Sequence, residues 1–326
     1  MIFRKKTGFF SLIAAAVMLS AVLAGCGTTD KEEETSMTHE AATDAPTNAP
    51  TDAPAQETTA PEATEGETVT QAAASGKYSK EELHCKYDDV DIFGTLYTPD
   101  SGNEKYPAVI LSHGYNCIGN DMQDIAVSLA KNGIMAYTFD FCGGSTRSAS
   151  SGDSVDMSIE TEQDNLRHVI DMIAGMENAD SAKIYLYGES QGGFVAALTG
   201  AEMPDRIAGM FLVYPAFSIV DQWLAMDPED MKEPFQFMGS MTLSKTFYDG
   251  VPRYDVYEHI KAFTNPVLIY QGDKDQVVGV SYAERIDEAF PDSVLTIVEG
   301  AGHGFGGKDR ELVKNGVCEF LTGNND

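Results

Sequence analysis

The 326 residues carry 51 Asp and Glu against 22 Lys and Arg, a formal charge of −29. So acidic a chain argues against nucleic acid and anionic lipid surfaces as partners, since both are recognised by clustered cations. Five cysteines in this length are too sparse for a disulfide scaffold, and no C-x-x-C or His-rich spacing points to a structural metal.

In chain order, the opening "MIFRKKTGFFSLIAAAVMLSAVLAGCG" has Arg4, Lys5 and Lys6, then an apolar run from Phe9 to Ala24, then small residues. This is the layout of a cleaved secretory leader over residues 1–25. "LAGC", Leu23 to Cys26, resembles a bacterial lipobox. The resemblance implies cleavage before Cys26 and a diacylglyceryl group on its sulfur, two acyl chains being enough for lasting attachment. A plain secretory leader and an uncleaved anchor are the alternatives. Loss of the leader removes three cations and no acid, taking the formal charge from −29 to −32. The protein is therefore expected outside the cytoplasm, held to the cell membrane through Cys26. Residues 26–76, mostly Thr, Ala, Pro and Glu with scarcely an apolar side chain, cannot offset the entropy of folding. They read as a disordered tether with a span of roughly 35–45 Å.

From Lys77 to Asp326, β-like and helix-like stretches alternate, the signature of one α/β domain with a mostly parallel sheet flanked by helices. Glu82–Asp100 reads as two antiparallel edge strands, and "YPAVILSH" (Tyr106–His113) as a strand buried on both faces. A helix follows from about Asp121 to Asn132, stopped at Gly133, and then a strand over Ile134–Asp140. Ser158–Met176 places Ile159, Leu166, Val169, Ile170 and Ile173 on one helical face, and Ala182–Tyr187 is the next strand. "IAGMFLVYP" is another, and "NPVLIY" and "SVLTIV" complete the set.

Chemistry concentrates at the ends of these strands. Gly188-Glu189-Ser190-Gln191-Gly192 lies between a strand and a helix start, the context in which a small-x-Ser-x-small turn presents a nucleophilic serine. Such a serine needs an imidazole to take its proton, a carboxylate to orient the imidazole and amides to receive the oxyanion. His303, in the loop after the last strand, stands where a base belongs in the order Ser, Asp, His. The acid is Asp275 or its neighbour Asp273, both in the loop after "NPVLIY". The residue after the serine, Gln191, is one expected oxyanion donor, and Tyr115 in "SHGYNC" the second. His113 braces that loop. Cys117 and Cys142 fall in loops after adjacent strands, and whether they pair stays open.

The motifs "GTLYTP", "ILSHGYN", "GESQGG", "NPVLIYQGDKDQVV" and "GAGHGF" together resemble the α/β-hydrolase superfamily, and within it the feruloyl and cinnamoyl esterase-like serine hydrolases. The resemblance covers nearly all of Lys77 to Asp326. It implies Ser190 as nucleophile, His303 as base, Asp275 as acid and the Tyr115 and Gln191 amides as oxyanion donors, with no metal or cofactor. Glu189 departs from it, because these esterases often carry histidine there. It also implies that Pro215–Asn265, too long for an ordinary connection, is a lid. Its aromatic and Met side chains suit an apolar acyl pocket, with Trp223 the expected substrate contact. The expected function is hydrolysis of small carboxylic esters through an acyl-serine. A serine aminopeptidase of the same fold is the alternative, with Glu189, Asp221 or Asp227–Asp230 to hold a charged terminus. A solute-binding lipoprotein is disfavoured by the complete catalytic set.

Overall fold

The computed structural model describes residues 76–323, so the leader, Cys26 and the tether up to residue 75 lie outside the described residues. Twelve strands form: β1 (Tyr78–Glu82), β2 (Cys85–Tyr87), β3 (Val90–Ile92), β4 (Gly94–Pro99), β5 (Tyr106–Ser112), β6 (Met135–Phe139), β7 (Ala179–Glu189), β8 (Gly209–Val213), β9 (Phe235–Phe237), β10 (Met241–Leu243), β11 (Val267–Gly272) and β12 (Ser293–Val298). Eight join one sheet in the order β1-β4-β6-β5-β7-β8-β11-β12. From β6 to β12 every pairing is parallel, while β4 is antiparallel to both β1 and β6.

The runs lacking polar alternation are the central strands, because both of their faces are covered. In β5, Val109 and Leu111 face one side and Ala108 and Ile110 the other. The first side is closed by α1 (Gln123–Lys131) and α8 (Gly307–Thr322), which contribute Ile125, Leu129, Val313 and Val317. The second is closed by α2 (Ile159–Ala174), α3 (Gln191–Glu202) and α7 (Val280–Ala289), through Leu166, Ile170, Phe194, Leu198 and Ile286. The helix α2 starts with a capping box between Ser158 and Thr161.

The edge differs from expectation. Residues 82–100 make three strands rather than two: β2 and β3 pair as a hairpin outside the main sheet, and β4 enters it. The outermost strand is β1, whose burial pattern is almost wholly exposed and which therefore gave no apolar signal. Residues 215–265 carry α4 (Ser218–Leu224), the β9–β10 hairpin, α5 (Lys245–Asp249) and α6 (Val256–Ile260). The carboxyl ends of β5, β7, β8, β11 and β12 open toward the same end of the parallel sheet, where ligands of such sheets bind.

Candidate active site

At the junction of β7 and α3 the backbone turns sharply, and Ser190 sits at φ 52°, ψ −118°. A non-glycine residue held there costs about 1–3 kcal/mol, which the surroundings must offset. They do so with the Ser190 amide donating to the Val213 carbonyl at 3.0 Å and the Ser190 carbonyl accepting from Ala216 at 2.9 Å. The flanking glycines are steric necessities. A Cβ on Gly188 would lie 2.4 Å from the Gly192 carbonyl oxygen, and one on Gly192 would lie 2.3 Å from that of Ser112.

The structure brings Ser190, His303 and Asp275 together. Ser190 Oγ is 2.9 Å from His303 Nε2, and His303 Nδ1 is 2.8 Å from Asp275 Oδ2. A neutral imidazole fits this arrangement with Nδ1–H donating to the carboxylate and Nε2 accepting from the hydroxyl. Burial alone would push the Asp275 carboxyl up, but hydrogen bonds from His303, Val277 and Val278 hold it below the usual carboxylate range. Gln271, from the buried end of β11, adds a further donor to Oδ2 at 3.0 Å. Asp273 is engaged elsewhere, accepting from the Gly300 amide at 2.6 Å and pairing with Lys274 at 3.0 Å.

The loop after β5 lies against the serine, since a Cβ on Gly114 would be 3.2 Å from that of Ser190. Gln191 is the first residue of α3, so its amide has no acceptor within the helix. With the Tyr115 amide it is the donor pair that the sequence leads one to expect for an oxyanion at Ser190. His113 braces this loop, as expected: Nδ1–H donates to the Gly114 carbonyl at 2.8 Å and Nε2 accepts from the Phe141 amide at 3.0 Å. Burial pushes its imidazole pKa down, which keeps one nitrogen available as acceptor. Asp140 receives the Gly119 and Ala149 amides, and Asn116 receives Thr146, so the loops after β5 and β6 are laced together. Cys117 and Cys142 are not joined by a disulfide. Among the described residues, no group of three or more His, Cys, Asp or Glu is arranged to hold a metal.

Sequence reasoning missed three side chains around this centre: Gln271, Glu162 and Arg310. Glu162 of α2 is only 2% exposed and accepts from the Gln191 side chain at 2.9 Å. Burial pushes its carboxyl up to about 8, against which that hydrogen bond acts. Arg310 reaches back from α8 to Glu189 at 3.0 Å and to Asp124 at 2.7 and 2.8 Å. No motif spacing marks Glu162 or Arg310, whose partners reach them only through the tertiary fold, while Gln271 stands four residues before its partner Asp275 in a strand whose apolar run gave no sign of it.

The Trp223 expectation needs correction. The residue is 2% exposed, and its ring packs against Phe247, Phe237 and Phe235 at centroid distances of 4.6, 5.2 and 6.0 Å. It is the centre of an aromatic cluster within residues 215–265, buried because α4 turns this face inward, so it presents no surface to a substrate. The half-buried Tyr115 ring instead meets that of Phe237 edge-on at a centroid distance of 5.3 Å. The Tyr115 hydroxyl donates to the Phe237 carbonyl at 3.1 Å, joining the β9–β10 hairpin to the loop after β5.

Comparisons with known proteins agree with this architecture. A family model described as serine aminopeptidase, S33, matches residues 103–246, and one described as TAP-like protein matches residues 247–325. An uncharacterised protein of Mycobacterium tuberculosis is 25% identical over 238 residues, spanning 70% of this chain and 74% of its own. Est1E of Butyrivibrio proteoclasticus, solved with ferulic acid bound, superposes with a TM-score of 0.68 at 22% identity, covering 73% of this chain and 97% of that one. An α/β hydrolase, GrgF, from a Penicillium species superposes with a TM-score of 0.59 at 18% identity, covering 76% and 99%. The chain has the α/β-hydrolase fold.

Proposed function

We propose that this protein is an extracytoplasmic carboxylic ester hydrolase, anchored through a lipid on Cys26, that works by a covalent acyl-serine. The observation that carries the reading is the unbroken hydrogen-bonded line from Ser190 through His303 to Asp275. His303 Nε2 takes the Ser190 proton as Oγ attacks the ester carbonyl, and the resulting oxyanion is received by the Tyr115 and Gln191 amides. Collapse expels the alcohol, which leaves with the proton from Nε2. A water then repeats the sequence on the acyl-serine, releasing the acid and restoring Ser190. The half-buried ring of Tyr115, next to the Gly114 that lies against Ser190, and the Phe237 ring edge-on to it favour flat or short apolar acyl groups, whose burial contributes about 25 cal/mol per Å² before ordering costs. A fold shared with a feruloyl-binding protein is consistent with this.

The aminopeptidase reading draws support from the family description matched by residues 103–246. Two of the acids offered for a substrate's ammonium are already engaged. Both Glu189 oxygens accept from tyrosines, and Asp221 accepts from Tyr282 at 3.0 Å. The test is a panel of aryl, acetyl, hydroxycinnamoyl and long acyl esters beside aminoacyl and dipeptide amides, with Ser190→Ala as control. Short-chain or hydroxycinnamoyl esters are expected to give the highest kcat/KM. A preference for an amide over every ester would replace this reading with the peptidase one.

A further inference from the structure

Glu189 stands one residue before Ser190, and its carboxylate, 14% exposed, is surrounded by donors. Tyr187 donates to Oε1 at 2.7 Å, Tyr214 to Oε2 at 2.9 Å and Arg310 Nη1 to Oε1 at 3.0 Å. Burial pushes both tyrosine hydroxyls well above their ordinary pKa, so they remain donors. Tyr214 in turn packs its ring 4.7 Å from that of His303 and 4.9 Å from Phe305, and it holds a left-handed φ of 39°. The carboxylate that breaks the family pattern is therefore one aromatic ring away from the proposed base.

Arg310 spreads its fork over more than Glu189. Nε and Nη2 clamp the Asp124 carboxylate at 2.7 and 2.8 Å, and Nη2 also donates to the Asp121 carbonyl at 3.2 Å. Asp121 lies in the 3₁₀ turn Gly119–Met122 that continues the oxyanion loop, and Asp124 lies in the first turn of α1. Arg310 itself stands in the first turns of α8, the helix that follows the His303 loop. One guanidinium thus touches the serine turn and the segment behind the oxyanion loop while anchored behind the histidine. Although burial works against its charge, Glu189 and Asp124 outweigh that and keep it protonated. A planar fork suits this task where a point charge would not, because its N–H groups leave in fixed directions.

We propose that Arg310, acting through Glu189, is a positioning residue that sets the serine turn, the oxyanion loop and the histidine loop at their working distances. The proposal rests on the acyl-serine reading above. Take away the guanidinium and Glu189 keeps only its two tyrosine donors, while Asp124 and the Asp121 carbonyl lose the fork that joins them to it, so the three segments are no longer tied at one point.

The test measures kcat, KM and melting curve for wild type, Arg310→Lys, Arg310→Gln and Glu189→Gln/Arg310→Gln, with fluorophosphonate labelling of wild type and Ser190→Ala run alongside. Arg310→Gln is expected to lose roughly 100-fold in kcat, the cost of a misplacement of about 1 Å, with KM within about twofold. Arg310→Lys keeps the charge but not the fork, so its kcat falls only about tenfold. The double variant, which guards against misfolding of the single one, is expected to match it in kcat, because the two residues act as one unit. A kcat of Arg310→Gln within twofold of wild type, a KM that rises in step with the loss of kcat, or losses that merely follow the unfolded fraction would each overturn the proposal. Labelling that is equal in wild type and Ser190→Ala would instead overturn the acyl-serine reading, and this inference with it.

Discussion

Ser190 and His303 were legible from short spacings because their neighbours are constrained as tightly as they are. Gly188 and Gly192 cannot carry a side chain, and the histidine loop must follow the last strand. The choice between Asp275 and Asp273 was not legible from spacing, since both follow the same strand; only the direction each side chain takes separates them. Triad members act as a unit, so Ser190→Ala and His303→Ala are each expected to abolish turnover nearly completely, and the double variant to lose little more. Steady-state rates showing additive losses would place the two residues in different sites. Glu162 was invisible in the sequence because a glutamate in a helix's first turns ordinarily faces water. Its folded carboxyl keeps a proton up to about pH 8, whereas an unperturbed one releases it near 4.5. Across that window the folded state binds more protons than the unfolded state, so this group makes stability fall as pH rises. Glu162→Gln is expected to melt at a higher temperature relative to wild type at pH 8 than at pH 5. A difference in Tm that stays constant between the two pH values would refute the assignment.

At the scale of elements, the buried parallel strands and amphipathic helices announced themselves, while the β1 edge and the β2–β3 hairpin did not. Strands of three residues and strands open to solvent leave no apolar period to read. Residues 215–265 were legible as an insertion, from their length and aromatic content, but which aromatics face inward is a property of their packing. Trp223 is the instructive case, a single tryptophan that looked like a ligand contact and proves to be the keystone of α4 against the β9–β10 hairpin. Truncating a buried aromatic of this kind costs about 3–5 kcal/mol. Trp223→Ala is therefore expected to lower Tm and to expose residues 215–265 to proteolysis before the rest of the domain. Unchanged melting with an altered ester ranking would restore Trp223 to the substrate site.

For the molecule as a whole, anchoring and catalysis are read from separate parts of the chain. Among the described residues no helix is long and apolar enough to cross a membrane, and the chain is strongly acidic. On the proposed reading membrane attachment rests on Cys26, and Cys26→Ser is then expected to move the protein from the membrane fraction to the medium. Retention in the membrane would mean that the leader stays as an uncleaved anchor. The central claim is narrower, that an ester's acyl group passes through Ser190. Its most direct measurement is rapid acid quenching of the protein with an activated ester, followed by mass spectrometry of the intact chain and of its peptides. The expected result is a mass increase equal to one acyl group, located on the peptide carrying Ser190 and absent from Ser190→Ala. Turnover of the same ester by Ser190→Ala at the wild-type rate, or an acyl group found on another residue, would contradict the account.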